Sequence, residues 1–200
     1  RQPGHADALT QLAAAHPGHL HVAPLDVSDE HSRQAFAAEV AALHPSLDLL
    51  VNNAGVLHAG ERFGALDPRV LEHTLQVNTI APLVLAQALA PLLARGRQPR
   101  VFNLSSRLGS MALTQSFQTP SYNISKAALN MATVLMARAL NPMGIGVLAA
   151  SPGWVRTDMG GDKAPVTAAE SVHDMLQMLD RRAEPGAGEF VDRDGGPLPW

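Results

Sequence analysis

Tyr122 and Lys126 lie four residues apart in the run Ser121-Tyr122-Asn123-Ile124-Ser125-Lys126. On a helix that spacing puts both side chains on one face, about one turn apart. An ammonium beside a phenol favours the phenolate, because an opposite charge stabilises the ionised form. A free tyrosine titrates near ~10, and bringing it to about 7 takes roughly 4 kcal/mol. A neighbouring lysine in a low-dielectric site is a source of that much. The result would be a tyrosine that exchanges a proton with an alcohol or a carbonyl near neutral pH. A Tyr and a Lys one turn apart also occur on ordinary solvated helix faces, so the pair takes its meaning from the segments around it.

Those segments alternate. The pattern predicts helix 6–15, strand 19–26, helix 29–43, strand 47–52, a long helix 67–95, strand 99–105, helix 122–140, strand 145–150, helix 167–181 and a last strand near 188–192. Leu47-Asp48-Leu49-Leu50-Val51 and Gly146-Val147-Leu148-Ala149-Ala150 are short apolar runs, as in strands buried on both faces. Helix and strand in alternation predict an α/β fold with a doubly wound parallel sheet. Asn78 falls inside the long helix, and Pro82, four residues on, lacks the amide that would bond its carbonyl. A locally opened helix is expected there, leaving that carbonyl for a water.

Around the pair, in order, stand Leu50-Val51-Asn52-Asn53-Ala54-Gly55, Val77-Asn78, Asn103-Leu104-Ser105-Ser106, and then Ser151-Pro152-Gly153-Trp154-Val155-Arg156-Thr157. Alone, Asn52-Asn53-Ala54-Gly55 reads as a plain strand-to-loop turn, Pro152-Gly153 as a plain turn pair and Asn78 as an incidental residue at a helix kink. Together and in this order, over essentially the whole chain, they resemble the short-chain dehydrogenase/reductase family, with a Rossmann-type sheet. Ser106-Arg107-Leu108-Gly109-Ser110, the run 153–161 and the ending Asp194-Gly195-Gly196-Pro197-Leu198-Pro199-Trp200 are similar to the C-factor/sniffer-type carbonyl reductases.

The resemblance implies an NAD(P)(H)-dependent interconversion of a carbonyl and an alcohol. In it Tyr122 is the general acid/base, and Lys126 lowers its pKa and binds the nicotinamide ribose. Ser106 bonds the substrate carbonyl and Asn78 holds a water of the proton relay. Ser106 is preferred to Ser105 because the family's serine is followed by x-x-Gly, and Gly109 supplies that glycine only for Ser106. The interval from Ser106 to Tyr122 is longer than the commonest version of the pattern. Along the cofactor the resemblance places Asn52, Ala54 and Gly55, with Asp26 and Val27 flanking the adenine. Pro152, Gly153, Val155 and Thr157 lie toward the nicotinamide carboxamide. Except for Asn78, Tyr122 and Lys126, these positions fall at or just past strand C-terminal ends, where open sheets bind ligands.

The start departs from the family. No Thr-Gly-x-x-x-Gly-x-Gly loop is present to cradle a pyrophosphate at a helix N-terminus. Gly144-Ile145-Gly146 has the opposite order, helix then strand. The expectation is a copy lacking the first two strands and the Gly-rich loop, a gap between the 20–26 and 47–52 strands, and weak dinucleotide binding by the chain as it stands. Arg1 sits where an arginine meets the ribose 2′-phosphate of NADP, which favours NADP over NAD.

Two hundred residues, 46% of them hydrophobic, suffice for one domain with a sizeable core. A net charge of −3 without a basic run offers nucleic acid nothing to bind. The apolar stretch from Ile80 to Ala94 falls short of the ~18–20 residues needed to span a bilayer, so no membrane partner is expected. Cysteine is absent, which excludes disulfides and thiolate metal sites and is compatible with the cytoplasm. His16, His19 and His21 cross a Pro17-Gly18 turn into a strand, and no metal is assigned to them.

The expected partner is a small carbonyl or alcohol substrate in a pocket that Met111, Phe117, Trp154 and Met159 make apolar. In many members of the family the helices equivalent to 67–95 and 122–140 build a homodimer; here their apolar surfaces could equally be covered within one chain. The rival readings are a non-catalytic signalling protein on the dinucleotide fold, as the C-factor likeness suggests, and an inactive truncated copy. A serine hydrolase lacks its Gly-x-Ser-x-Gly.

Overall fold

The computed structural model describes residues 6–182 and 186–200. Its centre is a four-stranded parallel sheet in the order β1 (Leu49–Asn52), β2 (Arg100–Leu104), β3 (Gly146–Ser151), β4 (Ala187–Asp192). Each crossover is helical: α3 (Pro68–Leu75) and α4 (Ala81–Leu93) join β1 to β2. Helix α5 (Pro120–Leu140) joins β2 to β3, and α6 (Ala168–Arg181) joins β3 to β4. Helices α1 (Asp7–Ala15) and α2 (Glu30–Leu43) precede the sheet. Asp29 caps α2 through Ser32 N–H, Asp67 caps α3 through Arg69 N–H, and Thr167 with Glu170 forms a reciprocal capping box on α6.

Side chains alternate across the strands, so one sheet makes two cores. Val101 and Val147 face one layer with Leu89, Leu93, Met136 and Leu140 of α4 and α5, backed by Phe36 and Val40 of α2. Phe102, Leu148 and Ala150 face the other with Met175, Met178 and Leu179 of α6. The sheet is therefore doubly wound, and its C-terminal strand ends lie in register, with Asn52 beside Asn103 and Leu104 beside Ala150.

Two expectations change. Residues 19–26 carry no strand: a strand exists only through a neighbour's hydrogen bonds, and β1 is the edge of the sheet. The long helix is interrupted by a π-turn over Gln76–Ile80, the local opening expected from Asn78 and Pro82. The helical run Pro68–Leu93, 26 residues with an 18-residue window of mean hydropathy 1.4, also exceeds the apolar stretch read from sequence and is long and apolar enough to cross a bilayer. In this fold it serves as a core helix, with Val77, Leu85, Leu89 and Leu93 buried.

Candidate active site

Helix α5 buries a stripe one turn apart, Tyr122, Lys126, Leu129 and Thr133, against the sheet. Its upper end projects past the strand ends, so the first two members of the stripe face a cleft rather than the core. Tyr122 is 8% and Lys126 4% exposed, and the Lys126 Nζ stands 5.5 Å from the centre of the Tyr122 ring. The ammonium donates to the carbonyl of Leu104, the last residue of β2, at 2.7 Å.

Beyond β2 the chain divides the roles of its two serines. Ser105 is buried and its hydroxyl is held against Asn130 Oδ1 at 2.6 Å. Ser106 caps the short turn Arg107–Gly109, accepting from Leu108 N–H at 3.1 Å, and lines the same cleft as Tyr122. Its own hydrogen is left to point at the phenol or at a substrate oxygen. Gly109 packs this turn onto α5: a Cβ there would stand 2.7 Å from the carbonyl carbon of Lys126 and 2.8 Å from its Cβ.

Asn78, fully buried in the π-turn, ties three segments together. Its Oδ1 accepts from Val56 N–H at 2.8 Å, and its Nδ2 donates to Val56 O and to Ser125 Oγ, both at 2.9 Å. Both amide hydrogens are thus spent on positioning. Gly55 lies in front of this group, where a Cβ would come 3.5 Å from Asn78 Oδ1 and 3.8 Å from Lys126 Nζ.

The cleft, about 870 Å³, is lined by Asn53, Gly55, Ser106, Tyr122 and Lys126 on one side and by Pro152, Gly153, Val155 and Thr157 on the other. Trp154, Met159, Val172 and Met175 extend it as an apolar wall. The segment after β3 is pinned by its own bonds: Trp154 Nε1–H donates to Gly160 O at 2.8 Å, and Val155 pairs with Val166. Small residues, a buried ammonium and a ready hydroxyl around one cleft fit the nicotinamide-ribose half of a dinucleotide. Among the described residues no glycine-rich strand-to-helix loop supplies the pyrophosphate half.

The short chain dehydrogenase family model matches residues 1–167. The chain belongs to the short-chain dehydrogenase family. Among its relatives, the C-signal of Myxococcus xanthus is 38% identical over 167 residues, covering 84% of this chain and 99% of that protein. In structure the chain is similar to the carbonyl reductase Sniffer of D. melanogaster, with a TM-score of 0.94 at 32% identity over 100% of this chain and 86% of that one. It is equally similar to an NADPH-bound carbonyl reductase from chicken fatty liver, with a TM-score of 0.93 at 38% identity over 100% and 85%. Family and fold make this short-chain dehydrogenase an oxidoreductase of the nicotinamide-dependent class.

Several residues that the resemblance places along the cofactor do not line this cleft. Asn52 turns into the α5 side of the sheet, where its Nδ2 donates to Asn103 Oδ1 at 2.8 Å and Asn103 in turn donates to Thr133 Oγ1 at 2.9 Å. Asn53, one residue on and therefore on the opposite side of the extended chain, lines the cleft in its place. Ala54 is exposed and outside the cleft lining. Asp26 shapes the turn into α2 by accepting from Ser28 N–H at 3.0 Å, and the Val27 carbonyl accepts from Arg33; neither lines the cleft. Arg1 lies outside the described residues.

The expected electrostatics of the pair is corrected as well. Burial raises the Tyr122 phenol above its ordinary value, and the Ser106 hydroxyl offsets that in part. Burial acts on the lysine as well and favours its neutral form, its pKa lowered to about 8. In this short-chain dehydrogenase the resting pair is a neutral phenol beside an ammonium close to losing its proton.

The Gly109 contact gives a direct expectation. Gly109→Ala must push the Ser106 turn and the Lys126 backbone apart, destabilising the fold by about 1–3 kcal/mol. Turnover should fall further than stability, because the displaced groups are Ser106 and Lys126 themselves. Urea unfolding together with single-turnover rates checks this.

Proposed function

We propose that this short-chain dehydrogenase reduces a small carbonyl compound to the alcohol, or the reverse, with NADP(H). The observation that carries the reading is the convergence of Ser106, Tyr122 and Lys126 on one cleft whose opposite wall is Pro152, Gly153, Val155 and Thr157. A dinucleotide bound there supplies or accepts the hydride. The chain's own residues do the rest. Lys126 would hold the ribose hydroxyls, with Gly55 leaving room before it. Ser106, its oxygen already accepting from Leu108 N–H, donates its hydrogen to the substrate oxygen. The Tyr122 phenol, held protonated by burial, releases its proton to that oxygen in the reductive direction. Asn78 acts by alignment, since both its amide hydrogens are taken; a relay water would have to be met by its main chain.

The proposed cofactor is NADP rather than NAD. Two of the similar structures carry it: the chicken enzyme is NADPH-bound and one from Burkholderia multivorans is described with bound NADP. With the purified protein, NADPH should be oxidised in the presence of aldehydes or ketones about tenfold or more faster than NADH, a factor equal to 1.4 kcal/mol. A preference for NADH would reverse the assignment. A cytoplasmic location belongs to the same proposal.

A second reading has its own observation. The Myxococcus xanthus relative, matched over 99% of its length, is named for a signal rather than for a reaction. A protein working that way would bind dinucleotide and turn over nothing. Cofactor consumption with a panel of carbonyl compounds separates the two.

A further inference from the structure

The first turn of α5 begins badly for a helix that must aim a catalytic side chain. Thr119, the residue before it, has φ 41° and ψ 53° and gives no side-chain cap. Such a conformation strains a β-branched residue and persists only where its surroundings impose it. Pro120, the next residue, has no N–H. The following main-chain donor, Ser121 N–H, is bonded by Glu61 Oε2 at 3.3 Å, and the Ser121 hydroxyl donates to Glu61 Oε1.

Glu61 comes from the loop between β1 and α3. That same loop is held at Val56 by Asn78 and touches the segment before α5 a second time, where Phe63 meets Phe117 edge-on at 5.5 Å. Tyr122 is therefore bracketed. On one side Ser121 is gripped by Glu61; on the other Ser125, whose hydroxyl donates to Tyr122 O at 2.8 Å, is gripped by Asn78.

We infer that Glu61 is a positioning residue for Tyr122, the front half of a two-point clamp that fixes the catalytic turn against the loop between β1 and α3. The inference rests on the proposed role of Tyr122. A carboxylate suits the position because it accepts a main-chain and a hydroxyl hydrogen together at a helix N-terminus, where negative charge is favoured. Asn78 reaches the same turn from behind, so loss of Glu61 leaves the helix formed and its first turn free to swing. A misplacement of about 1 Å at such a site costs up to ~10²-fold in rate.

Tyr122 is the only tyrosine in the chain, so ring-labelled tyrosine gives one NMR signature that reports on it directly. Glu61→Ala should keep the helical circular dichroism, shift or broaden that resonance, and lower kcat about tenfold or more, with the KM for NADPH within about twofold of wild type. Glu61→Gln, which keeps an acceptor for Ser121, should restore both the resonance and most of kcat. If Glu61→Ala does not fold, Ser121→Ala takes its place, since it removes the hydroxyl bond and keeps the main-chain one; it should move the resonance in the same direction by less. An alanine variant with the wild-type resonance and kcat overturns the inference, as does a Gln variant that restores neither. If the wild-type protein reduces no carbonyl, the proposed function fails, and the Tyr122 resonance alone still decides the clamp.

Discussion

Replacing Tyr122 by Phe should lower turnover by about a thousandfold, within the 10²–10⁴ range of a general acid or base, while the fold survives. Tyr122 lines the cleft together with Ser106, and the buried ring packs the same way in phenylalanine. The KM for NADPH should stay within a fewfold, because Lys126 and the Pro152–Thr157 wall are untouched. Steady-state kinetics beside thermal unfolding make the check. Near wild-type rates would transfer the proton to another group and remove the basis of the proposed reaction. Serine cannot substitute here, since Ser106 delivers a hydrogen bond and lacks an accessible second protonation state.

The direction of the Tyr122 shift decides which half-reaction the resting site suits. A phenol held protonated by burial is ready to give a proton to a carbonyl oxygen, and it must gain stabilisation of its anion before it can take one from an alcohol. The alcohol-oxidising rate should therefore climb with pH through the range above neutrality, and the reducing rate should fade there.

Much of this was written in local pattern. The strands β1 to β4 coincide within about two residues with the apolar runs of the sequence. Only β3 is buried along its whole length, as a strand covered on both faces is; Leu49 and Val51 of the edge strand β1 stay exposed, against the expectation for that run. The Asn78–Pro82 spacing announced the π-turn, since a missing amide has a fixed consequence for the helix. What sequence could not give is partner identity across space. Residues 19–26 have strand character, but a strand needs a neighbour. Asn52 and Asn53 are chemically identical, and only the pleat sends one to Asn103 and the other to the cleft. Glu61 carries no motif at all; its meaning comes from a helix sixty residues on that starts with a strained threonine. The protonation of the Tyr122–Lys126 pair is hidden from sequence for a related reason. Spacing placed the lysine beside the phenol, whereas burial, a property of the whole fold, set both protons.

Lys126→Met should abolish turnover and change how stability depends on pH. In the folded chain Lys126 loses its proton at about 8, against 10.5 when exposed. Between those values the unfolded chain binds the extra proton, so stability rises with pH across the window. Below about 8 the full penalty of a buried ammonium is present; above 10.5 it is gone. Tyr122, raised above its ordinary 10.0, works the other way: its contribution is complete below 10.0 and is lost as pH rises through the folded value. The lysine is therefore best read between pH 8 and 10. There the cofactor-free wild-type protein should gain on the order of 2 kcal/mol relative to Lys126→Met. The constant offset between the two contains the lost bond to Leu104 O, which the pH slope does not. Denaturant titrations of both proteins at several pH values give the difference directly. Parallel lines would mean that the ammonium is better solvated in the cleft than its 4% exposure implies, and that burial does not set its proton.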